Sequence, residues 1–197
     1  LFSFWGRITE NKGVKILLEN AEEMIKKYNA QILICGKSNQ EEKYSINCVV
    51  LIETLKQKYP KNFYASPKEI FPDLTLVEYG SDFGIIPSAI DPIGLDAQEY
   101  LISSTPVIAH KVGGLKDCLI DFNSNKKKGN SFLYDLNENS QFLSAISKAI
   151  KIFNNKAEYK KLISNTFNSA IDSTDSALAW GDELYRIKDK IFYDRNI

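Results

Sequence analysis

The chain has 197 residues, 44% of them hydrophobic, which is enough for one or at most two domains with a sizeable core. Its 25 basic and 25 acidic residues cancel to zero net charge, a balance that favours neither nucleic acid nor an anionic membrane as a partner. No apolar run is long enough to span a bilayer, and no segment has the pattern of a signal peptide.

Apolar runs bounded by glycine, proline or polar residues predict six strands, and helical spacing predicts the helices between them. The predicted strands cover residues 1–5, 31–35, 62–65, 83–86, 106–110 and 131–134. The predicted helices cover residues 14–28, 41–59, 73–79, 95–102, a stretch after Gly113 and Gly114, 141–153, 157–170 and 176–192. This alternation predicts an α/β fold with one doubly wound, mostly parallel sheet and helices on both faces. The chain starts in a strand-like run without a methionine, and we interpret it as a fragment or an isolated domain.

The cysteines indicate no metal site. Cys35, Cys48 and Cys118 have neither metal-ligand spacing nor a Cys-x-x-Cys motif. We interpret all three as structural thiols in a reduced intracellular setting.

The stretch from residue 82 to 99, DFGIIPSAIDPIGLDAQE, contains a buried strand, a loop and a helix that begins at Gly94. In α/β proteins, ligands lie at the C-terminal ends of the strands, where helix N-termini offer free N–H groups and partial positive charge to a phosphate. Asp91 in the loop and Glu99 in the helix flank this turn. Because carboxylates do not bind phosphate, we expect both to accept hydrogen bonds from sugar hydroxyls.

Two cations, Arg7 and Lys12, follow the first strand. If both side chains point to the N-terminus of the helix that begins at Gly94, they form a diphosphate site with it. The alternative is that they lie in a solvated loop. Gly113 and Gly114 follow the fifth strand, where glycines let a backbone approach a ligand closely. The alternative is an ordinary strand-to-helix turn.

The aromatic residues and the one histidine are ambiguous. Phe63 and Tyr64 are candidates for stacking on a base, with core packing as the alternative for at least one of them. His110, the only histidine, ends a strand, and we interpret it as structural rather than catalytic. Trp5 and Trp180 are predicted to be packing residues.

Taken together, these motifs resemble the bacterial-type glycogen and starch synthases, glycosyltransferase family five. The start of the family's donor domain resembles GRITENKGVKILLE, and its Glu-Pro-x-Gly-Leu turn resembles DFGIIPSAIDPIGLDAQEYL. Its Thr-Gly-Gly-Leu segment resembles STPVIAHKVGGLKDCLID, and the closing helices of protist-type members resemble FNSAIDSTDSALAWGDELYRIKDKIF. The resemblance covers nearly the whole chain. It implies the C-terminal, Rossmann-like half of a GT-B enzyme, with extra C-terminal helices.

The resemblance also implies a domain division. Residues 1–170 form the nucleotide-sugar-binding domain. Residues 171–197 form a C-terminal helix that packs on the outside, toward an N-terminal domain that this chain lacks. That missing domain binds much of the acceptor glucan in the family.

Residue by residue, the resemblance implies roles in the donor site. Arg7 and Lys12 match cations that contact the donor diphosphate, and Asp91 matches a glutamate that contacts the transferred glucose. Glu99 matches the second carboxylate of a Glu-x7-Glu pattern, which holds the ribose in related enzymes. Tyr64 lies near the position that lines the base pocket. In the family, the backbone of two loops lies against the sugar and the phosphate. The first of these loops matches Ile93, Gly94 and Leu95, and the second matches Gly113, Gly114 and Leu115.

The implied activity is retaining transfer of glucose from ADP-glucose or UDP-glucose to the non-reducing end of an α-1,4-glucan, without a metal or other cofactor. The expected partners are the nucleotide sugar, the α-glucan acceptor and the missing N-terminal domain, without which we expect no turnover. The expected location is the cytoplasm, or a plastid for a starch synthase. Two alternatives remain: a family-four-type glycosyltransferase with another acceptor, and a non-catalytic module that binds a nucleotide sugar or a glucan.

Three positions depart from the family pattern. Asp91 replaces the expected glutamate, so its carboxylate lies one methylene farther back. Ile93 stands where cysteine or glycine is common, and Val112 stands where threonine or serine usually precedes the glycine pair. These departures favour weakened activity and keep the non-catalytic alternative open.

Overall fold

The structure is a computed structural model that describes residues 1–68, 73–135, 138–171 and 173–194. Within these residues, the strands are β1 (Phe2–Ile8), β2 (Ile32–Ser38), β3 (Phe63–Ser66), β4 (Phe83–Ile86), β5 (Val107–His110) and β6 (Ser131–Tyr134). The helices are α1 (Lys15–Tyr28), α2 (Lys43–Lys58), α3 (Leu74–Tyr79), α4 (Leu95–Ile102), α5 (Leu115–Cys118), α6 (Asn139–Asn154), α7 (Lys156–Asn168) and α8 (Ser173–Asp194), with a 3-10 helix at Glu10–Lys12.

The six strands form one sheet in the order β3-β2-β1-β4-β5-β6, and every neighbouring pair is parallel. This is the order of a doubly wound fold, in which the direction of winding reverses between β1 and β4. The predicted Rossmann-like α/β fold is therefore confirmed. Parallel strands end at one common edge, so the loops after β1, β4 and β5 lie side by side.

The pairing between β1 and β4 is short. Only Phe2 and Ser3 of β1 pair with β4, although β1 continues to Ile8. Beyond this point the two strands have no common ladder, and the gap between them opens toward the C-terminal edge. Tyr100 of α4 is fully buried beneath the gap, where its hydroxyl lies 3.0 Å from the Ser3 hydroxyl. This contact ties α4 to β1 directly below the candidate site.

Apolar side chains cover both faces of the sheet, because successive strand residues point to opposite sides. On β1, Phe2, Phe4 and Ile8 belong to the larger core cluster under α1, α2 and α6. Trp5 faces the other side and packs on the smaller cluster, with its ring 6.3 Å from that of Tyr100. The predicted packing role of Trp5 is confirmed.

The first strand is longer than predicted. The predicted strand ends before Gly6, but Arg7 and Ile8 pair in register with Lys37 and Ser38 of β2. Arg7 therefore belongs to the strand and not to the following loop. The prediction was too short because a polar strand end shows no apolar pattern, while its ladder partners lie 30 residues away in the sequence.

The three cysteines are reduced and form no disulfide bond, which agrees with their predicted structural role. Cys35 and Cys48 are buried, and Cys118 is half-buried. Burial raises the pKa of the Cys48 thiol to about 11, so this group stays protonated at neutral pH.

Helix α8 presents many apolar side chains to solvent. Trp180 is 68% exposed, so the packing role predicted for it is not realised within the described part of the chain. The other exposed large apolar residues of this helix are Leu178, Leu184, Tyr185, Ile187, Ile191 and Phe192. No helix in the described ranges combines the length and the apolar character needed to cross a membrane.

Candidate functional site

The candidate site lies where the winding reverses, at the C-terminal ends of β1 and β4. The loop after β1 contacts the loop after β4, because the Ala89 N–H donates a hydrogen bond of 2.9 Å to the Asn11 carbonyl oxygen. Gly13 ends the 3-10 helix in the left-handed region, with φ of 66°. A Cβ at Gly13 would overlap the Pro87 carbonyl oxygen, so this close approach of the two loops requires glycine.

The Asp91 carboxylate closes the loop after β4. One oxygen accepts a hydrogen bond of 2.8 Å from the Gly94 N–H, and the other accepts one of 3.3 Å from the Ser88 hydroxyl. The side chain is 7% exposed. Asp91 thus fixes the start of α4, a structural role that its match to a sugar-binding glutamate does not include.

The loop after β5 packs against the same turn. Gly113 has φ of 45°, and a Cβ there would overlap the Asp91 carbonyl oxygen. The Gly114 N–H donates a hydrogen bond of 2.9 Å to that same oxygen. The two glycine-containing loops predicted from the sequence are therefore in direct contact. The loop after β5 packs against the loop after β4 and stabilises its conformation. Leu115 has a fully buried side chain, so only its backbone is available to a ligand.

His110, the last residue of β5, joins two loops at this edge. Its Nδ1 lies 2.9 Å from the Ser88 carbonyl oxygen and its Nε2 lies 3.3 Å from the Asp135 carbonyl oxygen. Its ring stacks on Tyr134 with a centroid distance of 5.4 Å. These contacts agree with the structural role predicted for His110.

The N-terminus of α4 faces the gap between β1 and β4. Gly94 is the N-cap, and it provides no side-chain acceptor. The N–H groups of Ala97 and Gln98 bond to the Gly94 carbonyl oxygen at 3.1 and 3.2 Å. The N–H groups of Leu95 and Asp96 come earlier and have no acceptor within the helix. This terminus therefore combines partial positive charge with unused donors, which suits a phosphate.

Lys12 is held beside this terminus by carboxylates. Its Nζ forms an ion pair with Asp96 in the first turn of α4 and lies 3.7 Å from Asp91 Oδ2. Asp96 was not predicted as a site residue. The only signal for it in the sequence was an acidic residue in the first turn of a helix, a common feature because it favours the helix dipole.

Arg7 is the next-to-last residue of β1 and lies on the same face as Trp5, with an exposed side chain. Within the described residues, no carboxylate forms an ion pair with Arg7. Lys37 stands directly opposite it on β2 and is also exposed. The end of β1 thus presents one cation held in ion pairs, Lys12, and one free cation, Arg7.

Glu99 follows Asp96 by three residues, so the two carboxylates lie on one face of α4. Glu99 is exposed at its tip, and partial desolvation raises the pKa of its carboxyl, with a further contribution from the Asp96 charge. Ile93 and Leu95 are also exposed. No group of three His, Cys, Asp or Glu side chains in the described ranges is arranged to hold a metal ion.

Tyr64 does not join this cluster. It lies on β3 opposite Leu33, which in turn pairs with Ser3 of β1. It is therefore two strands away from β1, and about 13 Å below the level of Arg7 at the usual rise per strand residue. Its ring is 58% exposed.

Comparisons with known proteins identify the relatives of this chain. A model of the family described as glycosyl transferases group 1 matches residues 1–168. The curated glycogen synthase of Thermosipho melanesiensis is 30% identical over 172 residues, which cover 87% of this chain and 34% of that protein. The chain spans about a third of the length of the curated relatives it matches.

Two solved structures show the same fold. The catalytic domain of starch synthase IV from Arabidopsis thaliana, bound to ADP and acarbose, superposes with a TM-score of 0.76 at 21% identity, covering 94% of this chain and 38% of that one. HepE from Anabaena, in complex with UDP and glucose, superposes with a TM-score of 0.73 at 16% identity, covering 93% and 47%. At these identities the likeness concerns the fold.

Proposed function

Because this chain belongs to the group 1 glycosyl transferases, whose family model matches residues 1–168, we propose that it is the nucleotide-sugar half of an α-1,4-glucan synthase. The curated relatives that it matches are glycogen synthases, which supports this substrate class. The complete enzyme transfers glucose from ADP-glucose or UDP-glucose to the non-reducing end of a glucan, with retention of the anomeric configuration. Both nucleotides are candidates, because the similar folds include one described with ADP and one with UDP.

The observation that carries this proposal is the position of Lys12 beside the N-terminus of α4, at the point where the sheet reverses its winding. A diphosphate placed there meets the unused N–H groups of Leu95 and Asp96 together with the cations Lys12 and Arg7. Cations beside the diphosphate stabilise the negative charge that develops on the leaving nucleotide. The site therefore suits departure of a nucleoside diphosphate without a metal ion.

The sugar lies farther along the same two loops in this proposal. The sugar contacts the backbone of two segments, Ile93 to Leu95 and Gly113 to Leu115. The exposed Glu99 accepts hydrogen bonds from the ribose. Asp91 contributes through its position beside Lys12. Tyr64 stays a prediction for the base, on a strand whose C-terminal end leads toward the same edge.

A second candidate is a module that binds a nucleotide sugar without turnover. This candidate is favoured by the hydrogen bonding of the Asp91 carboxylate. Its two oxygens accept hydrogen bonds from the Gly94 N–H and the Ser88 hydroxyl. A carboxylate engaged in this way is held in the loop and keeps only part of its accepting capacity for glucose hydroxyls, while the diphosphate contacts are unaffected.

Helix α8 completes the proposed domain division, with residues 1–170 as the donor domain and 171–197 as an external helix. Its exposed residues Trp180, Leu184, Ile187 and Ile191 recur at helical spacing and form one apolar stripe. A stripe of this kind on a helix at the surface needs a covering partner. The N-terminal domain of the same enzyme is the proposed partner.

A thermal-shift panel with ADP, UDP, ADP-glucose and UDP-glucose tests donor binding. A ligand that binds only the folded state raises the melting temperature, by an amount that grows with the ratio of its concentration to its Kd. We expect one nucleotide pair, either the ADP or the UDP compounds, to raise the melting temperature of the 197-residue chain. The absence of a shift with all four compounds at millimolar concentration would contradict the proposal.

The control variant is Lys15→Ala. Lys15 lies three residues from Lys12, but its Nζ pairs with Glu19 on the surface of α1. We expect Lys15→Ala to keep the nucleotide shift and Lys12→Ala to lose most of it. Equal losses would mean that general positive charge, and not the position of Lys12, attracts the nucleotide.

A further inference from the structure

Lys12 is engaged by two carboxylates of its own chain. Its Nζ forms an ion pair with Asp96 and lies 3.7 Å from Asp91. The side chains of Lys12, Asp96 and Asp91 are 21%, 18% and 7% exposed. Water screens such a cluster less than it screens a pair at the open surface, so these charges interact strongly.

The cluster carries an excess of negative charge. One lysine faces two carboxylates, so the net charge around Lys12 is about −1 at neutral pH. A nucleoside diphosphate adds further negative charge at the same helix terminus. The diphosphate interacts with Lys12 at full strength only if the ion pair between Lys12 and Asp96 breaks.

Asp96 is also placed so that it imitates a phosphate. Its carboxylate extends from the first turn of α4 and bonds to the lysine that the proposed function assigns to the diphosphate. Asp91 differs in this respect, because its two oxygens also hold Gly94 and Ser88 and are tied to the loop. Of the two carboxylates, Asp96 is therefore the one that can release Lys12 without opening the turn.

We propose that Asp96 is an affinity-determining residue, which competes with the donor diphosphate for Lys12 and so weakens nucleotide binding. The inference rests on the proposed function of the site. In the ligand-free protein Asp96 occupies the lysine, and on binding the phosphate oxygens replace its carboxylate. When the nucleoside diphosphate leaves, Lys12 returns to Asp96, which favours release of the product.

The test is calorimetric titration of ADP and UDP into the wild type, Asp96→Asn, Lys12→Ala and the double variant. Asparagine keeps the shape of the side chain and removes its charge. We expect Asp96→Asn to tighten binding of the preferred nucleotide about tenfold, the effect of roughly one partly buried ion pair. In the Lys12→Ala background we expect the same substitution to change affinity by less than about twofold, because the group under competition is gone. Asp96→Ser serves as a second uncharged variant if the asparagine variant folds poorly.

The matched control is Asp117→Asn. Asp117 also lies in the first turn of a helix beside the candidate site, is exposed, and forms no ion pair with any described residue. We expect it to leave nucleotide affinity within about twofold of the wild type, since an exposed charge is largely screened.

Three results would overturn the inference while leaving the proposed function intact. Weaker binding by Asp96→Asn would mean that Asp96 orients Lys12 for the ligand. An equal gain in the Lys12→Ala background would mean simple repulsion between Asp96 and the phosphates. An equal gain from Asp117→Asn would mean an effect of net charge. If neither nucleotide binds to any folded variant, the proposed function fails and the inference fails with it.

Discussion

The N–H of Gly114 donates a hydrogen bond of 2.9 Å to the carbonyl oxygen of Asp91. This bond joins the loop after β5 to the loop after β4, although the two residues are far apart in the sequence. The start of α4 is therefore supported from outside its own loop. The stability of the candidate site depends on this contact as much as on the residues that would touch a ligand.

Gly113→Ala should damage this contact. Gly113 has φ of 45°, and the new methyl group would overlap the Asp91 carbonyl oxygen. The left-handed conformation alone costs about 1–2 kcal/mol for a residue with a Cβ, and the overlap adds to this cost. We expect a loss of at least about 2 kcal/mol in the free energy of unfolding, measured with urea. Gly181→Ala is the control, because a Cβ there meets nothing within 4 Å and helix propensity favours alanine by about 1 kcal/mol. Equal stability of the two variants would refute this account of Gly113.

Replacing both Arg7 and Lys12 by alanine should remove most of the nucleotide affinity. Charge-assisted contacts are worth about 1.5–3 kcal/mol each, and the proposed function assigns both cations to the diphosphate. Calorimetric titration of ADP and UDP gives the measurement. The double variant Lys15→Ala with Lys27→Ala has the same net charge and changes two surface lysines that pair with Glu19 and Glu23. Unchanged binding in the Arg7 and Lys12 variant would show that the diphosphate lies elsewhere.

Asp91→Ala should destabilise the chain by about 1–2 kcal/mol, the usual cost of losing a side chain that accepts hydrogen bonds at a helix start. Asp91→Asn should cost less, since its amide oxygen can still accept from the Gly94 N–H. In a two-domain enzyme we expect Asp91→Asn to lower turnover because the charge beside Lys12 is lost, and Asp91→Glu to raise it. Urea unfolding and steady-state kinetics measure the two effects. If Asp91→Asn turns over as fast as the wild type, the charge of Asp91 beside Lys12 does not contribute to transfer.

Glu78 makes stability depend on pH. It is buried on α3, where its Oε2 accepts a hydrogen bond of 3.1 Å from the Ser103 hydroxyl, and burial raises the pKa of its carboxyl above the usual 4.5. The folded state therefore keeps this proton to a higher pH than the unfolded chain does. The stability that results is fully present below pH 4.5 and is lost as the pH rises through the folded-state pKa.

Glu78→Gln removes this titration and keeps an acceptor for Ser103. We expect the unfolding free energy of the variant, relative to the wild type, to increase between about pH 4 and about pH 7. Urea unfolding of both proteins at several pH values measures this difference. The contributions of the other titrating groups are common to both proteins and cancel in the difference. A difference that does not change with pH would show that the Glu78 carboxyl titrates alike in both states.

The 197-residue chain alone should transfer no glucose. Transfer requires an acceptor held in a reactive geometry beside the donor, and this chain is proposed to supply only the donor half. The measurement is incorporation of labelled glucose from ADP-glucose or UDP-glucose into glycogen. Incorporation by the purified chain, absent in its Lys12→Ala variant, would show that the acceptor site is also within these residues.

Much of the fold could be predicted from the sequence, because strand and helix alternate with clear apolar periodicity. The resemblance to glycogen and starch synthases and the Rossmann-like half of a GT-B fold are both confirmed by the family and structure comparisons. The extension of β1 to Ile8 could not be predicted, because it depends on pairing with β2. Register is a tertiary property, so the sequence alone also could not show that Tyr64 pairs with Leu33, well below the level of Arg7.

The candidate site was predicted in part. Glycines at positive φ and cations after a strand have recognisable patterns, so Gly113 and Lys12 were found. Asp96 was missed because its partner Lys12 is 84 residues away and its own position is unremarkable for a helix start. The inward role of Asp91 was also missed, since a side chain that closes its own loop has the same sequence pattern as one that faces a ligand.

The short ladder between β1 and β4 is expected to make this part of the sheet open first when the protein unfolds. Two residue pairs join these strands, whereas seven join β1 to β2. The sheet is thus two half-sheets, β3-β2-β1 and β4-β5-β6, with a weak seam between them. Apolar packing still crosses this seam, through the stacked rings of Phe2 and Phe83 and the shared core under α1 and α6, so we expect the seam to open locally before the whole sheet does in native-state hydrogen exchange. The amides along the seam should exchange before those inside either half, and a nucleotide bound across it would slow them most.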